Sequence, residues 1–299
     1  MTSPIKQKAT YVAIIGEPNV GKSTLLNYFL GKKLSITSRK PQTTRHRLLG
    51  IKTQNNVQCV FVDTPGLHQE QPSLMNRYMN RMAWGAMDGV DCILWVVNPF
   101  KWNTYNTQIV DRLNKLQVRT ILVINKIDML SKKSDMLPFL DQAKGHYPFS
   151  DIIPVSAKKG EQVDLLWDLI CRQAPVLDFF FPPDQVTDRS DVFIVAERIR
   201  EQLTRRLGQE LPYALAVKVD RFESEDDICR IYATIWVERE SQKGIVIGRH
   251  GQMLKSIGVY AREQLASYFA KKVFLKLWVK VKKNWKDQSR GLNDLGYHE

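Results

Sequence analysis

Cysteine is scarce in this chain. Cys59, Cys92, Cys171 and Cys229 are its four thiols among 299 residues; they form no C-x-x-C pair and no metal spacing with the five histidines. A disulfide-stapled scaffold and a zinc-finger-like site are excluded, and the thiols read as reduced and intracellular. Long apolar runs are also missing, and without about 18 consecutive apolar residues no membrane-spanning helix is expected. The opening residues, MTSPIKQKAT, lack the apolar segment of a secretory signal. A cytoplasmic protein is the expectation. Acidic residues are few: 31 Asp and Glu against 44 Lys and Arg leave a formal charge of +13. That balance points to an anionic partner, either nucleic acid or an acidic membrane face. No tandem repeat is visible. The length suits two domains, each large enough to bury a core.

What is present begins at Gly16. Gly16-Glu17-Pro18-Asn19-Val20-Gly21-Lys22-Ser23 is G-x-x-x-x-G-K-S, set between an apolar run (11–15) and a helical pattern starting near Lys22. The N–H groups of such a loop and the following helix N-terminus cradle phosphate oxygens. Lys22 supplies charge to the β- and γ-phosphates and Ser23 offers a hydroxyl to Mg²⁺; Thr24, at the start of the helical run, is counted with the nucleotide-binding residues. A nucleoside triphosphate is the expected ligand.

Apolar runs at 11–15, 57–62, 91–97, 118–124 and 151–155 alternate with helical patterns at 22–31, 73–87, 103–116, 132–145 and 161–173. Alternation of this kind predicts an α/β domain with a mainly parallel sheet. One exception is expected: only Asn55-Asn56 separates the runs 47–54 and 57–62, which must form an antiparallel hairpin. The rhythm then changes. After a proline-bearing linker come a helix near 189–206, strands near 213–222 and 228–238, and a short apolar segment, Gly244 to Ile247. The turn Gly248-Arg249-His250-Gly251 follows, then a helix to about Phe269 and a strand over 273–281. This is an α+β unit. The expected division is a tail over 1–9, a nucleotide domain over 10–175, a linker over 176–188, a second domain over 189–285 and a tail over 286–299.

Three further motifs carry nucleotide chemistry. Asp63-Thr64-Pro65-Gly66 leaves a strand, so Asp63 can hold a Mg²⁺-bound water and Gly66 can offer its N–H to the γ-phosphate. Asn125-Lys126-Ile127-Asp128 leaves another. Asp128 can accept from guanine N1–H and N2–H₂, a donor pair adenine lacks. Asn125 can tie loops together, and the Lys126 stem can cover the base. Ser156-Ala157-Lys158 can set a backbone N–H at guanine O6. Between the phosphate loop and Asp63 lies Pro41-Gln42-Thr43-Thr44-Arg45, a loop expected to supply a second Mg²⁺ hydroxyl. Thr44 is preferred, with Thr43 the near alternative. The loop's basic residues read either as a solvated face or as part of an anion-facing one.

The five guanine-nucleotide motifs together resemble the translation-factor-related GTPases. Val246 to Gly251, with Lys255 and Ile257-Gly258, is similar to the G-x-x-G turn of a KH domain in the type-2 order α-β-β-α-α-β. A Ras-like phosphate-loop GTPase domain followed by a type-2 KH domain resembles the Era-type GTPases, and the likeness covers essentially the whole chain. Ser35 to Arg39 and Leu277 to Val281 are also similar to that family. The resemblance implies GTP hydrolysis to GDP with Mg²⁺, binding to 16S rRNA near its 3′ end, and action in assembly of the small (30S) ribosomal subunit. It implies a monomer, and allows a fraction held peripherally on the membrane. Asn19 resembles the residue that coordinates K⁺ in related GTPases; the alternative is that it only shapes the loop.

On the residues themselves, Gly248 and Gly251 permit close backbone approach, with Arg249, His250 and Lys255 set to meet RNA. From Lys243 to Arg290, twelve Lys or Arg face only Glu263 and Asp287, an electrostatic footprint. Trp278 and Trp285 are candidates to stack on bases, with core packing the stronger expectation for Trp278. Leu67 stands where many GTPases place a water-orienting Gln, so intrinsic turnover should be slow. Two other readings compete: a phosphate-loop kinase or ATPase, which has no use for Asp128, and a signalling GTPase held electrostatically on lipid.

Overall fold

The structure is a computed structural model that describes residues 6–38, 40, 43–66, 73–99, 102, 104–208 and 211–297. The chain divides into two compact units, with the main boundary between Asp188 and Arg189.

In the first unit the elements run β1 (Lys8–Ile15), α1 (Lys22–Leu30), β2 (Leu48–Gln54), β3 (Val57–Asp63), α2 (Leu74–Gly85), β4 (Cys92–Val97), α3 (Thr104–Leu116), β5 (Arg119–Ile124), α4 (Leu137–His146), β6 (Asp151–Pro154) and α5 (Val163–Gln173). Six strands form one sheet in the order β2-β3-β1-β4-β5-β6. All neighbours are parallel except β2 and β3. β3 and β4 are buried along their whole length; β4 accordingly reads as an unbroken apolar run rather than an alternating one, and β3 does so from Cys59 to Val62. The β2–β3 hairpin turns on Asn55 (φ 50°) and Asn56 (φ 61°), two left-handed residues that match the twist of the strands they join.

β1 starts at Lys8, which pairs with Val57, so residues 8 and 9 belong to the sheet and not to a tail. The helical pattern at 132–145 resolves into a 3₁₀ turn, Lys133–Met136, followed by α4. The proline-bearing stretch before Asp188 holds no helix or strand but is tied to the sheet. Ile51 N donates to Val186 O at 2.8 Å, and Gln58 Oε1 accepts from Phe180 N at 2.8 Å and Phe181 N at 3.0 Å.

The second unit runs α6 (Asp191–Arg206), β7 (Leu215–Ser224), β8 (Ile228–Val237), α7 (Glu240–Ile247), α8 (Gln252–Phe269), β9 (Lys272–Val281) and α9 (Ser289–Asp294). β7 and β8 pair antiparallel, β8 and β9 parallel. Val195, Ile199 and Leu203 of α6 and Ile257, Ala261 and Leu265 of α8 form one core with Ile231, Ala233 and Ile235 of β8. The segment expected as a short apolar stretch, Gly244 to Ile247, is the end of α7. Its start is fixed by Gln242, whose Oε1 accepts from Glu238 N at 2.8 Å and Arg239 N at 3.1 Å. That cap lacks the usual Ser, Thr, Asp or Asn signature.

The expected tail over 286–299 is folded as far as Tyr297. Trp285 is fully buried and donates Nε1–H to Ala214 O at 3.3 Å. Leu292, Leu295 and Tyr297 are buried beside it. Trp278, expected in the core, is instead 38% exposed. Of the two stacking candidates, the buried Trp285 is excluded and Trp278 keeps an exposed ring.

Candidate nucleotide site and RNA-facing turn

The phosphate loop sits between β1 and α1. Gly16 (φ 139°), Asn19 (φ 62°) and Gly21 (φ 104°) all have positive φ, and a Cβ on Gly16 would meet Val96 O at 2.2 Å. Glycine is required there on both counts. α1 has no side-chain N-cap, so its first N–H groups are not taken by a side chain and can meet an anion. Lys22 is buried, and its Nζ donates to Gly16 O at 2.9 Å and Glu17 O at 2.8 Å. Burial pushes its pKa down to about 8, with Asp63 and Glu17 opposing the shift.

Ser23, Thr44 and Asp63 come together. Ser23 Oγ lies 2.9 Å from Thr44 Oγ1 and donates to Asp63 Oδ2 at 3.2 Å. Burial raises the Asp63 pKa, while Ser35, Lys22 and Ser23 counter it. Asp63 Oδ1 is buried and makes no hydrogen bond of normal geometry. An unsatisfied carboxylate oxygen is costly unless a ligand completes it, and two hydroxyls beside it are the hard oxygen donors Mg²⁺ takes. These residues fit the metal. Thr64 and Pro65 are buried next to them, with Thr64 Oγ1 donating to Ile14 O at 3.0 Å. A Cβ on Gly66 would strike Pro18 at 2.8 Å, so this glycine is what lets the chain pass the phosphate loop.

The base side is held by Asn125. Its Nδ2 donates to Val20 O at 2.7 Å, and its Oδ1 accepts from Ala157 N at 2.9 Å. Three loops that are far apart in sequence meet at one carboxamide. Lys126 adopts a left-handed conformation (φ 67°), Ile127 is buried, and Asp128 sits in the 3₁₀ turn that follows. Burial lowers the Lys126 pKa, with Asp128 opposing. Ser156 Oγ donates to Asp128 Oδ1 at 2.7 Å and accepts from Lys159 N at 3.2 Å. Lys158 is exposed. Leu67 lies outside the described residues, as do Arg39, Pro41 and Gln42.

Two positioning residues escaped the sequence reading. Ser35 is buried and donates to Asp63 Oδ2 at 2.7 Å. Asn27 of α1 fixes it: Oδ1 accepts from Leu34 N at 2.8 Å and Ser35 N at 2.9 Å, and Nδ2 donates to Ser35 O at 2.9 Å. A polar residue on the helix after a phosphate loop was the available signal. Arg45, counted with a basic loop, is only 2% exposed.

In the second unit Gly248 (φ 73°), His250 (φ 50°) and Gly251 (φ 76°) make a tight left-handed turn between α7 and α8. A Cβ on Gly248 would meet the Met253 side chain at 2.6 Å. Arg249 and His250 are exposed at the tip, and Lys255 is exposed on the first turns of α8.

A phosphate-loop site with guanine-side contacts, joined to an α-β-β-α-α-β unit with a G-x-x-G turn, defines a Ras-like GTPase carrying a type-2 KH domain. Comparison agrees: residues 11–126 match the family described as 50S ribosome-binding GTPase, and residues 210–286 match the KH domain. GTPase Era of Coxiella burnetii (strain Dugway 5J108-111) is 52% identical over 289 residues, covering 97% of this chain and 98% of that protein. GTPase Era of Pseudomonas aeruginosa (strain LESB58) is 47% identical, covering 98% and 96%. The structure of Era with MgGDPNP and nucleotides 1506–1542 of 16S ribosomal RNA superposes with a TM-score of 0.94 at 36% identity, covering 98% of this chain and all of that one. An Aquifex aeolicus Era variant bound to GDP·AlF4⁻ gives 0.92 at 37%, with the same coverage. The chain belongs to the Era GTPase family, and it is a GTPase.

Proposed function

We propose that this chain is a GTP-driven switch that binds 16S rRNA through its KH unit and acts in assembly of the small ribosomal subunit. The observation that carries the reading is the pairing, in one chain, of the guanine-side Asn125 and Asp128 loop with the exposed Arg249-His250 turn. The relative solved with MgGDPNP and a 16S rRNA segment supports it.

In this reading Lys22 and the Gly66 N–H stabilise charge on the γ-phosphate, while Ser23 and Thr44 ligate Mg²⁺ and Asp63 holds one of its waters. Bound Mg²⁺ supplies charge neutralisation across the phosphates. Asn19 would help hold a K⁺ ion, which would supply further positive charge to the phosphates. The KH turn clamps single-stranded RNA. The protein acts as a monomer in the cytoplasm, and any membrane contact is peripheral and electrostatic. The net charge of +13 and the lack of a helix long and apolar enough to cross a membrane among the described residues support that last point.

The test is crosslinking and sequencing of RNA bound in cells, comparing the wild type with Arg249→Asp/His250→Asp. Enrichment of the 16S 3′ region that the double substitution removes is expected. Equal recovery from both proteins would sink the assignment of the turn.

A further inference from the structure

The KH sheet has a second face. Val273, Leu275, Leu277, Val279 and Val281 of β9 pack toward the core shared with α6 and α8. Phe274 and Trp278 point the other way and stay 45% and 38% exposed. Register sets Arg230 opposite Phe274, Tyr232 opposite Lys276 and Trp236 opposite Lys280. On this face, then, aromatic rings and cations alternate across the strands. Tyr232 stands between the two exposed rings, 5.8 Å from Phe274 and 6.1 Å from Trp278. Lys276 Nζ lies 5.2 Å from the Trp278 ring centre and Lys280 Nζ 5.8 Å from that of Trp236. The G-x-x-G turn lies elsewhere: it joins α7 and α8, whose Val246 and Ile257 belong to the core on the sheet's opposite face.

We propose that this outward face is a second surface for single-stranded RNA, with unpaired bases stacked on Phe274, Tyr232 and Trp278 and phosphates met by Lys276 and Lys280. The inference deepens the RNA-binding reading of this unit and rests on it. A protein partner fits poorly, because interface centres are depleted in lysine and here a lysine accompanies nearly every ring. A lipid surface asks for an apolar face that can sink into the acyl boundary, which interleaved lysines oppose. Single-stranded nucleic acid needs just this alternation of ring planes and cations. The ring steps of 5.8 and 6.1 Å exceed the ~3.4 Å step of a stacked strand, so each ring suits a splayed, unpaired base.

The experiment measures binding of the full chain to fluorescein-labelled oligo(A) of twelve nucleotides by anisotropy. Phe274→Leu/Trp278→Leu should weaken binding at least tenfold with GTP affinity unchanged. Lys276→Gln/Lys280→Gln should weaken it too and reduce the salt dependence by about 1.4 logarithmic units per decade, as two lost phosphate contacts require. Both lysines are exposed, so this pair decides if the aromatic pair misfolds. Arg249→Asp/His250→Asp reports separately on the turn: residual binding in that protein should vanish when the sheet substitutions are added. Unchanged oligo(A) affinity in both sheet variants overturns the proposal. So does loss of binding to phosphatidylglycerol vesicles with RNA affinity retained, which would assign the face to lipid.

Discussion

The Asn125 carboxamide nitrogen lies 2.7 Å from the Val20 carbonyl oxygen and ties the base-side loop to the phosphate loop. Its oxygen holds Ala157 N at 2.9 Å. Replacing Asn125 by Ala leaves two buried backbone groups unsatisfied at about 1–3 kcal/mol each. GTP and GDP affinity should both fall at least about thirtyfold, and by equal factors, because the link lies away from the γ-phosphate. Isothermal titration with the two nucleotides checks this; a loss confined to GTP would contradict it. Asn125→Asp should be no better, since a carboxylate would face the Val20 carbonyl.

Lys22 gives nucleotide binding a pH dependence with a definite sign. Burial holds its pKa down to about 8, whereas phosphate oxygens favour the charged amine. Below pH 8 the amine is already charged. Above pH 8 binding must take up a proton, so affinity falls as pH rises, approaching about tenfold per unit. Asp63 acts at the other end: burial raises its pKa, so acid protonates it sooner than an ordinary Asp and weakens Mg²⁺-dependent binding. Titration calorimetry in buffers of different ionisation enthalpy should show proton uptake near pH 8.5. Flat affinity from pH 7 to 9 would count against a depressed Lys22.

The folded C-terminal segment makes a stability prediction. Ending the chain at Lys286 removes Leu292, Leu295 and Tyr297, all buried, and uncovers Trp285, on which Tyr297 stacks at 5.9 Å. Each buried large apolar side chain contributes about 1.5–3 kcal/mol. The truncated KH unit should lose at least about 3 kcal/mol in urea denaturation, with Trp285 emission shifted to the red. An unstructured tail would leave both unchanged.

Much of this architecture was legible in the residues, and the failures have physical reasons. Asn55-Asn56 announced the hairpin because two residues are too few for a parallel crossover. The phosphate-loop, Asp63 and Asn125 segments were legible because each leaves a strand whose apolar run stands out. Trp278 shares parity with Lys276 and Lys280 on β9, which places it on the exposed face, against the general tendency of tryptophan to be largely buried. Trp285 lies beyond the strand, where no period remains to read. Ser35 reaches Asp63 only through a loop clamped by Asn27, and no spacing rule connects residues across 28 positions.

Asn19 carries the cation prediction. Hydrolysis should be faster in K⁺ than in Na⁺, since a monovalent ion beside the phosphates would stabilise developing charge as an arginine finger does. Asn19→Ala should remove the difference while leaving GDP affinity nearly intact. Phosphate release measured in the two salts decides it, and equal wild-type rates would eliminate the ion.

Base choice follows from which oxygen of Asp128 is already taken. Ser156 Oγ accepts from Lys159 N and gives its proton to Asp128 Oδ1 at 2.7 Å, leaving Oδ2 and the second lone pair of Oδ1 for the base. In Asp128→Asn the side-chain oxygen must stay with Ser156, which turns the amide N–H₂ toward the base. The amide nitrogen then meets guanine N2–H₂ donor to donor, whereas the 2-oxo group of xanthine accepts from it and the side-chain oxygen still accepts from N1–H. GTP affinity should drop at least about tenfold, at about 1–3 kcal/mol per lost pairing, and xanthosine triphosphate should bind in its place. Adding Ser156→Ala should blunt the switch, because nothing then fixes the amide's orientation. Competition against a fluorescent guanine nucleotide reads both effects. An Asp128→Asn protein that still prefers GTP over xanthosine triphosphate would show that Asp128 does not read the base edge.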